Sequence, residues 1–341
     1  MPRRGLFLFP HTPPHPTTTM KHLLLLYCVL SLASLLPISC SKGEQEKRET
    51  EQEGSANANA NDTSIEPALG RLEFPRVKGG TSKVIIHSLD DRYGVNYSLE
   101  WDTEKRTQRW SCYQMFASNR ESNTRRYEGN PQYPFDPSPG VNYFSYDPYS
   151  RWNGMWYDVT VGGVFYRSVR DSMYDHGHIC PSADRLYSAD ANKQTFYLTN
   201  MQPMKNIFNA GIWGKMEGKL REWITLKSPA ADTLYVCKGG TIDPTEAIPA
   251  PLWRVLDTGL PVPRYYFMAL LRKSASGYKA LGFFVEHLNE DHTSDDLRQY
   301  VVNISELERL TGIDFFCNLP DDLERKVESF PVDQVKKAWG M

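Results

Sequence analysis

The chain has 341 residues, 40% of them apolar and 12% aromatic, enough for one large domain or two small ones with a packed core. Its 39 Lys and Arg against 41 Asp and Glu leave a net charge of −2. That balance excludes a protein that is basic all over, so any anion-binding surface has to be a local one.

The first elements read as targeting rather than fold. Met20-Lys21-His22 precedes an apolar run from Leu23 to Leu36 that ends in Pro37-Ile38-Ser39-Cys40. A basic start, an apolar middle and a small-residue end describe a signal peptide over 20–39, and the run is too short for a comfortable membrane span. Residues 1–19 read as an upstream over-extension. Leu36 stands four positions before Cys40, as in a bacterial lipobox, although Pro37 occupies the position where Leu is commonest. The expectation is an exported lipoprotein, periplasmic or at the cell surface, held to the membrane by a lipid on Cys40. The plainer alternative is a secreted protein with a stray cysteine. Residues 40–70 are polar, with the Ala-Asn repeat at 56–61, and read as a flexible tether. The folded domain is expected over 71–341.

Within that domain, apolar segments alternate with Gly, Pro and Asn turns. Strands are predicted at Lys83–His87, Val95–Trp101 and Trp110–Phe116. Arg120 to Tyr149 reads as a long polar, Pro-rich loop, of a length that is usually functional or poorly ordered. Met155–Val161 and Val164–Arg167 flank Gly162-Gly163, a hairpin signal. Asn206 to Ile224 carries apolar residues at helical spacing and predicts one continuous helix. A strand follows at Thr233–Cys237, then a hairpin of Tyr265–Leu271 and Tyr278–Glu286. Ser305 to Glu308 reads as a capping box opening a short helix that Thr311-Gly312 ends. The fold class is α+β, a mixed and mostly antiparallel sheet in one domain. Cys112, Cys180, Cys237 and Cys317 allow three pairings or none.

Asp175-His176-Gly177-His178 is the segment that carries chemistry. It is followed by Pro181-Ser182-Ala183-Asp184-Arg185, by Thr199-Asn200-Met201-Gln202-Pro203, and by Asn209-Ala210-Gly211-Ile212-Trp213 with Glu217 behind. A histidine near neutral pH suits proton transfer from water. The glycine before it suits a tight turn and close approach of an anion. An asparagine carbonyl suits a hard cation that keeps its own water. Eight residues separate Asn209 from Glu217, so on an ideal helix both lie on one side, roughly 80° apart. The plain alternatives are a structural histidine, a helix-capping asparagine and a solvated glutamate. A His176-x-His178 zinc or copper pair lacks a third ligand at motif spacing.

The order of these motifs resembles the DNA/RNA non-specific endonuclease family, with its ββα-metal (His-Me finger) active site and Asp-Arg-Gly-His motif. Thr311-Gly312-Ile313-Asp314-Phe315-Phe316 is similar to the family's C-terminal signature, and the resemblance covers most of 73–330. It implies a metal-dependent endonuclease acting on DNA and RNA, leaving 5′-phosphate ends, with Mg²⁺ as cofactor and Mn²⁺ as substitute. It implies His178 as general base, Asn209 as metal ligand, and Glu217 as a catalytic and metal-site residue that arranges the ion's waters. An upstream Arg for the transition state is matched by Arg125 or Arg126, with Arg120 behind. His176, Asn200 and Arg185 are expected to contact substrate. His176 stands where the family has Arg, which offers a fixed charge and a two-pronged fork. Met204 stands where Gln is frequent, which removes a polar contact near the metal. These departures keep open a second reading, a catalytically weakened nucleic-acid-binding surface lipoprotein. A third is a phosphodiesterase for another substrate class.

Overall fold

In the computed structural model, the residues described are 57–129, 134, 136, 159–161, 164–166, 174–256 and 260–341. The signal peptide, Cys40, most of the tether and most of the 120–149 loop lie outside them. No helix among the described residues is long and apolar enough to cross a membrane.

The strands in chain order are β1 (Ser82–Ser88), β2 (Val95–Asp102), β3 (Thr107–Met115), β4 (Val159–Val161), β5 (Val164–Tyr166), β6 (Tyr174–His178), β7 (Met201–Lys205), β8 (Thr233–Gly240), β9 (Leu252–Val255), β10 (Pro261–Pro263), β11 (Tyr265–Ser274), β12 (Gly277–Glu286) and β13 (Val301–Val302). The main helices are α1 (Ala189–Gln194), α2 (Gly214–Trp223), α3 (Ile304–Thr311), α4 (Asp321–Glu328) and α5 (Val332–Ala338). Seven strands form one antiparallel sheet in the order β1-β2-β3-β8-β11-β12-β13. Three separate two-stranded ribbons are β4-β5, β6-β7 and β9-β10. The class is α+β, mixed and mostly antiparallel. The ribbon β4-β5 forms where the hairpin was expected, and its Gly162-Gly163 turn lies outside the described residues.

The central strands are apolar on both faces because both faces are covered. In β11, Tyr266, Met268 and Leu270 join one core with Met201, Met204, Phe208, Trp213, Met216 and Leu220. Their neighbours Phe267, Ala269 and Leu271 join a second core with Ile304, Leu307, Phe315, Leu319 and Val327. Alternating residues point to opposite sides of a strand, so one face carries β6, β7 and α2, and the other carries α3 and α4. Aromatics bring much of the buried area on both sides.

Two expectations change. Residues 57–70 were grouped with the tether by composition, but Asn57, Asn59 and Asn61 bond to the C-terminal segment. Asn57 Nδ2 donates to Leu319 O at 2.7 Å, Asn59 Nδ2 to Glu324 Oε1 at 3.0 Å, and Asn61 N to Asn318 Oδ1 at 3.1 Å, while Asn61 Nδ2 donates to Pro75 O at 2.9 Å. A polar repeat without periodicity looks disordered, yet its amides satisfy buried carbonyls and carboxylates, so residues 57–61 are part of the packed domain. The cap of α3 also moves: Asn303, not Ser305, accepts from Glu306 N at 2.8 Å. Glu308 instead accepts from Phe315 N at 2.8 Å. The helix stops where expected, at Gly312 with φ +69°, a left-handed position suited to glycine. The four cysteines are buried free thiols, with Cys112 and Cys237 opposite each other on β3 and β8.

Candidate active site

The site is built on the β6-β7 hairpin and the helical segment that follows it. β6 pairs antiparallel with β7 in a register that sets Asp175 against Met204, His176 against Pro203 and His178 against Met201. Gly177 is in extended strand, not in a turn. A Cβ there would strike the Met204 side chain and come 2.9 Å from the Gln202 carbonyl. Glycine is needed because Met204, fully buried, fills that space. Met204 is therefore a core residue, and no polar contact at a metal is lost through it.

His178 is half-buried at the end of β6. Its ring bonds to the His176 backbone carbonyl, and its Nε2 is buried without a hydrogen-bond partner. The bond therefore comes from Nδ1–H, which leaves Nε2 with its lone pair open, the tautomer a base needs. Burial and the nearby Arg126 guanidinium push its pKa down to about 3. Phe196 lies edge-on to the imidazole at 4.8 Å between centroids, and Arg126 lies over the same Phe196 at 4.7 Å. Arg126 is carried there by a loop tied to the α1 region: Asn123 N and Thr124 N donate to Leu186 O, and Tyr127 N to Asn192 Oδ1 at 2.7 Å. Of the two candidate arginines, the structure thus brings Arg126 to the base. Arg125 and Arg126 are both exposed, but of these two described residues only Arg126 acts on the His178 ring. Arg120 instead meets Asp184, Nη1 to Oδ1 at 3.4 Å.

Asp175 holds the helix entry. It accepts from Asn206 Nδ2 and, at 3.0 Å, from Asn209 Nδ2. Asn209 heads a π-helical turn, Asn209–Trp213, in which Gly211 has non-helical dihedrals (φ −93°, ψ −109°). The single helix expected over 206–224 is thus three pieces: a turn at Asn206–Phe208, the π-turn, and α2. Constant 100° steps do not relate Asn209 to Glu217 across that break. Such π-turns gather at functional sites. Here the break lets Asn209 turn to Asp175 while Glu217 turns to β8.

Glu217 is met by a residue that the motif did not signal. Lys238 on β8 is fully buried and donates Nζ to Glu217 Oε1 at 2.6 Å, with its ammonium 4.7 Å from the Trp213 ring centre. Burial raises the Glu217 pKa, and Lys238 opposes that rise. Arg221, one helical turn on, reaches Glu217 Oε2 at 3.9 Å and Asp184 Oδ1 at 3.2 Å, while Tyr113 OH donates to Asp184 Oδ2 at 3.0 Å. A lone lysine inside the apolar run Tyr235-Val236-Cys237-Lys238 was the signal for this network, and Arg221 four residues after Glu217 was a second.

Three residues expected to contact substrate lie inside the protein. Asn200 is fully buried; its amide donates to Cys180 O and Thr195 O at 2.9 Å each, and its carbonyl accepts from Cys180 N at 2.9 Å. It clamps the loop after β6. Arg185 is 1% exposed, with its guanidinium on Asn96 O, Asp184 O and Gln114 O and over Tyr113 at 4.5 Å. Its donors serve the interior. His176 is 6% exposed, too enclosed to replace a surface arginine, and its clear contribution is the carbonyl that orients His178.

The donor set fits a hard cation. With Asn209 Nδ2 held by Asp175, the amide oxygen is the end left to coordinate, and an Mg²⁺ that keeps its water needs few protein ligands. No group of three or more His, Cys, Asp or Glu side chains among the described residues is placed to hold a metal; the Asn209 amide oxygen is the ligand the motif offers.

An antiparallel hairpin ending in an open imidazole, followed by a helix headed by an anchored asparagine, defines a ββα finger. The DNA/RNA non-specific endonuclease family model matches residues 84–322, and the chain belongs to that family. It is similar to a nuclease of Nostoc sp., 31% identical over 163 residues, covering 46% of this chain and 56% of that protein. It is also similar to a nuclease of Syncephalastrum racemosum, 31% identical over 176 residues, covering 48% and 54%. The chain thus spans about half the length of these relatives. A solved structure, "Crystal structure of the EndoG/EndoGI complex: Mechanism of EndoG inhibition", aligns at TM-score 0.47 and 18% identity over 69% of this chain and 86% of that one.

Proposed function

We propose that the chain is a metal-dependent endonuclease that hydrolyses phosphodiester bonds of both DNA and RNA, with contacts mainly to backbone phosphates. The observation that carries this reading is the open, neutral Nε2 of His178 beside Arg126, on a finger whose helix begins with Asn209 held by Asp175. A phosphodiester is already negative, so hydrolysis needs an activated water and relief of growing charge. His178 Nε2 takes the proton from the attacking water. The Arg126 guanidinium faces the charge that accumulates on the non-bridging oxygens. Asn209 Oδ1 would hold Mg²⁺, with Mn²⁺ as substitute, and the ion would supply positive charge at the phosphate. Glu217, paired with Lys238 and Arg221, would orient water around that ion. We also propose export as a lipoprotein through Cys40, which the sequence pattern supports.

The test is a gel assay of plasmid DNA and of RNA with Mg²⁺, Mn²⁺, Ca²⁺ or EDTA. Wild type is expected to degrade both with Mg²⁺ and neither with EDTA, and His178→Ala to lose degradation while keeping its unfolding transition. Full activity of His178→Ala overturns the mechanism. Binding of DNA without cleavage under every metal favours the weakened binding protein instead.

A further inference from the structure

The helical segment that carries Asn209 begins without a cap of its own. A helix leaves its first N–H groups without backbone partners, and the usual remedy is an Asn, Asp, Ser or Thr side chain at the entry. Here Lys205 stands at the entry and supplies no side-chain cap. Asn206 and Asn209 turn their amide nitrogens to Asp175 instead. The caps come from a distant part of the chain, the stretch 287–296 that follows β12. His287 Nε2 accepts from Lys205 N at 2.6 Å, and Asn289 Oδ1 accepts from Ile207 N at 3.2 Å.

The same stretch continues past the π-turn. A Cβ on Gly211 would come 3.3 Å from Thr293 Cγ2. Lys215 Nζ donates to Thr293 O at 2.8 Å and to Asp295 O at 2.6 Å. Contacts at 205, 207, 211 and 215 therefore bracket Asn209 on both sides. A π-turn gives up the regular α-helical ladder, so contacts from outside the segment help fix its shape. The stretch is itself held at both ends. His287 is fully buried; its Nδ1 donates to Pro263 O at 2.9 Å, and its backbone carbonyl accepts from Trp253 Nε1 at 2.9 Å. Burial pushes its pKa down to about 3, which keeps it the neutral acceptor that Lys205 N needs. At the far end Asp295 Oδ2 accepts from Tyr300 OH at 2.5 Å.

We propose that residues 287–295 form a strap that positions Asn209, with His287 and Asn289 capping the segment ahead of it and Lys215 closing the strap behind the π-turn. Asp175 fixes one end of the Asn209 amide; the strap fixes the backbone from which that amide hangs. The proposal rests on the reading of Asn209 as the metal ligand. His287, Asn289 and Lys215 are positioning residues that act through the π-turn.

The experiment compares the full wild-type chain with Asn289→Ala, Lys215→Met and Asn289→Asp. Asn289 is exposed and Lys215 partly so, so these changes leave the cores intact. Amide hydrogen exchange is followed residue by residue, and Mn²⁺ binding without substrate is read by electron paramagnetic resonance. One helix cap is worth about fivefold in a local equilibrium. In Asn289→Ala the amides of 207–213 are therefore expected to exchange about fivefold faster, with those of β8 and β11 unchanged, and Mn²⁺ to bind about fivefold more weakly. Lys215→Met is expected to move both in the same direction, and Asn289→Asp, which keeps the acceptor, to restore wild-type exchange. Unchanged exchange over 207–213 overturns the strap. So does faster exchange with Mn²⁺ affinity unaltered, the result of a purely structural tie. Asn209→Ala is measured alongside: if it binds Mn²⁺ as wild type does, the reading of Asn209 as ligand fails, and the exchange result still decides whether the strap holds the turn.

Discussion

Replacing Lys238 with Met leaves the Glu217 carboxylate beside an apolar chain in a place water hardly reaches. Lys238 is fully buried, and Glu217 is 13% exposed at 2.6 Å from it. At an effective dielectric of 20, the attraction over that distance is about 6 kcal/mol. Desolvation of the two ions offsets most of it, so the pair as a whole contributes little. Breaking it from one side is different: an unpaired buried charge costs about 3–5 kcal/mol. Arg221 Nη1, 3.9 Å from the same carboxylate, recovers part of this, so about 3 kcal/mol is expected for Lys238→Met in urea unfolding near pH 7. The double variant Lys238→Met/Glu217→Gln, with no charge left to strand, is expected to recover most of that loss. Lys238 also opposes the rise that burial imposes on Glu217, so the single variant raises that pKa further. Its nuclease activity is expected to fall at neutral pH and to return partly as pH rises. A single-variant cost under about 1 kcal/mol, or a double variant less stable than the single, refutes the reasoning.

Arg126→Gln is expected to lower kcat about 100- to 1,000-fold, the cost of losing one group aimed at transition-state charge, while Arg125→Gln changes it less than about threefold; equal losses refute the assignment. The His178 pKa is lowered to about 3 by burial and Arg126. Its base form is present above that value and lost as pH falls through it, so the acid limb of kcat against pH is expected well below 6.5; a limb at 6.5 counts against His178 as the base. Glu324, Glu308 and Glu328 are raised by burial to about 7, 8 and 10. Folding then holds protons that the unfolded chain releases near pH 4, so this stability is full below that pH and is lost as pH rises through about 7 to 10. The melting temperature is expected to fall over that window, and less so in Glu328→Gln; a flat wild-type profile refutes it.

The sheet was legible because β1, β2, β8, β11 and β12 are apolar runs bounded by turn residues, and packing on both faces kept them so. The candidate base and the candidate metal ligand stood out because His178 and Asn209 sit in a spaced motif. What failed were inferences that needed a path through space. Asn200 and Arg185 are polar residues near the motif in sequence, but their hydrogen bonds close inward. The even helix assumed between Asn209 and Glu217 ignored Gly211, where the turn widens. Lys238 was hidden because it comes from a strand outside the motif, brought to Glu217 only by the pairing of β3, β8 and β11. The Asn-rich segment from 57 was hidden because its partners, Asp314 to Glu324, lie more than 250 residues away.

That Asn-rich segment is also structural. It is fastened to α4 and to the turn before it, on the face of the sheet opposite the β6-β7 finger. Residues 57–61 are thus part of the packed domain on that side, and shortening this stretch removes hydrogen bonds rather than slack.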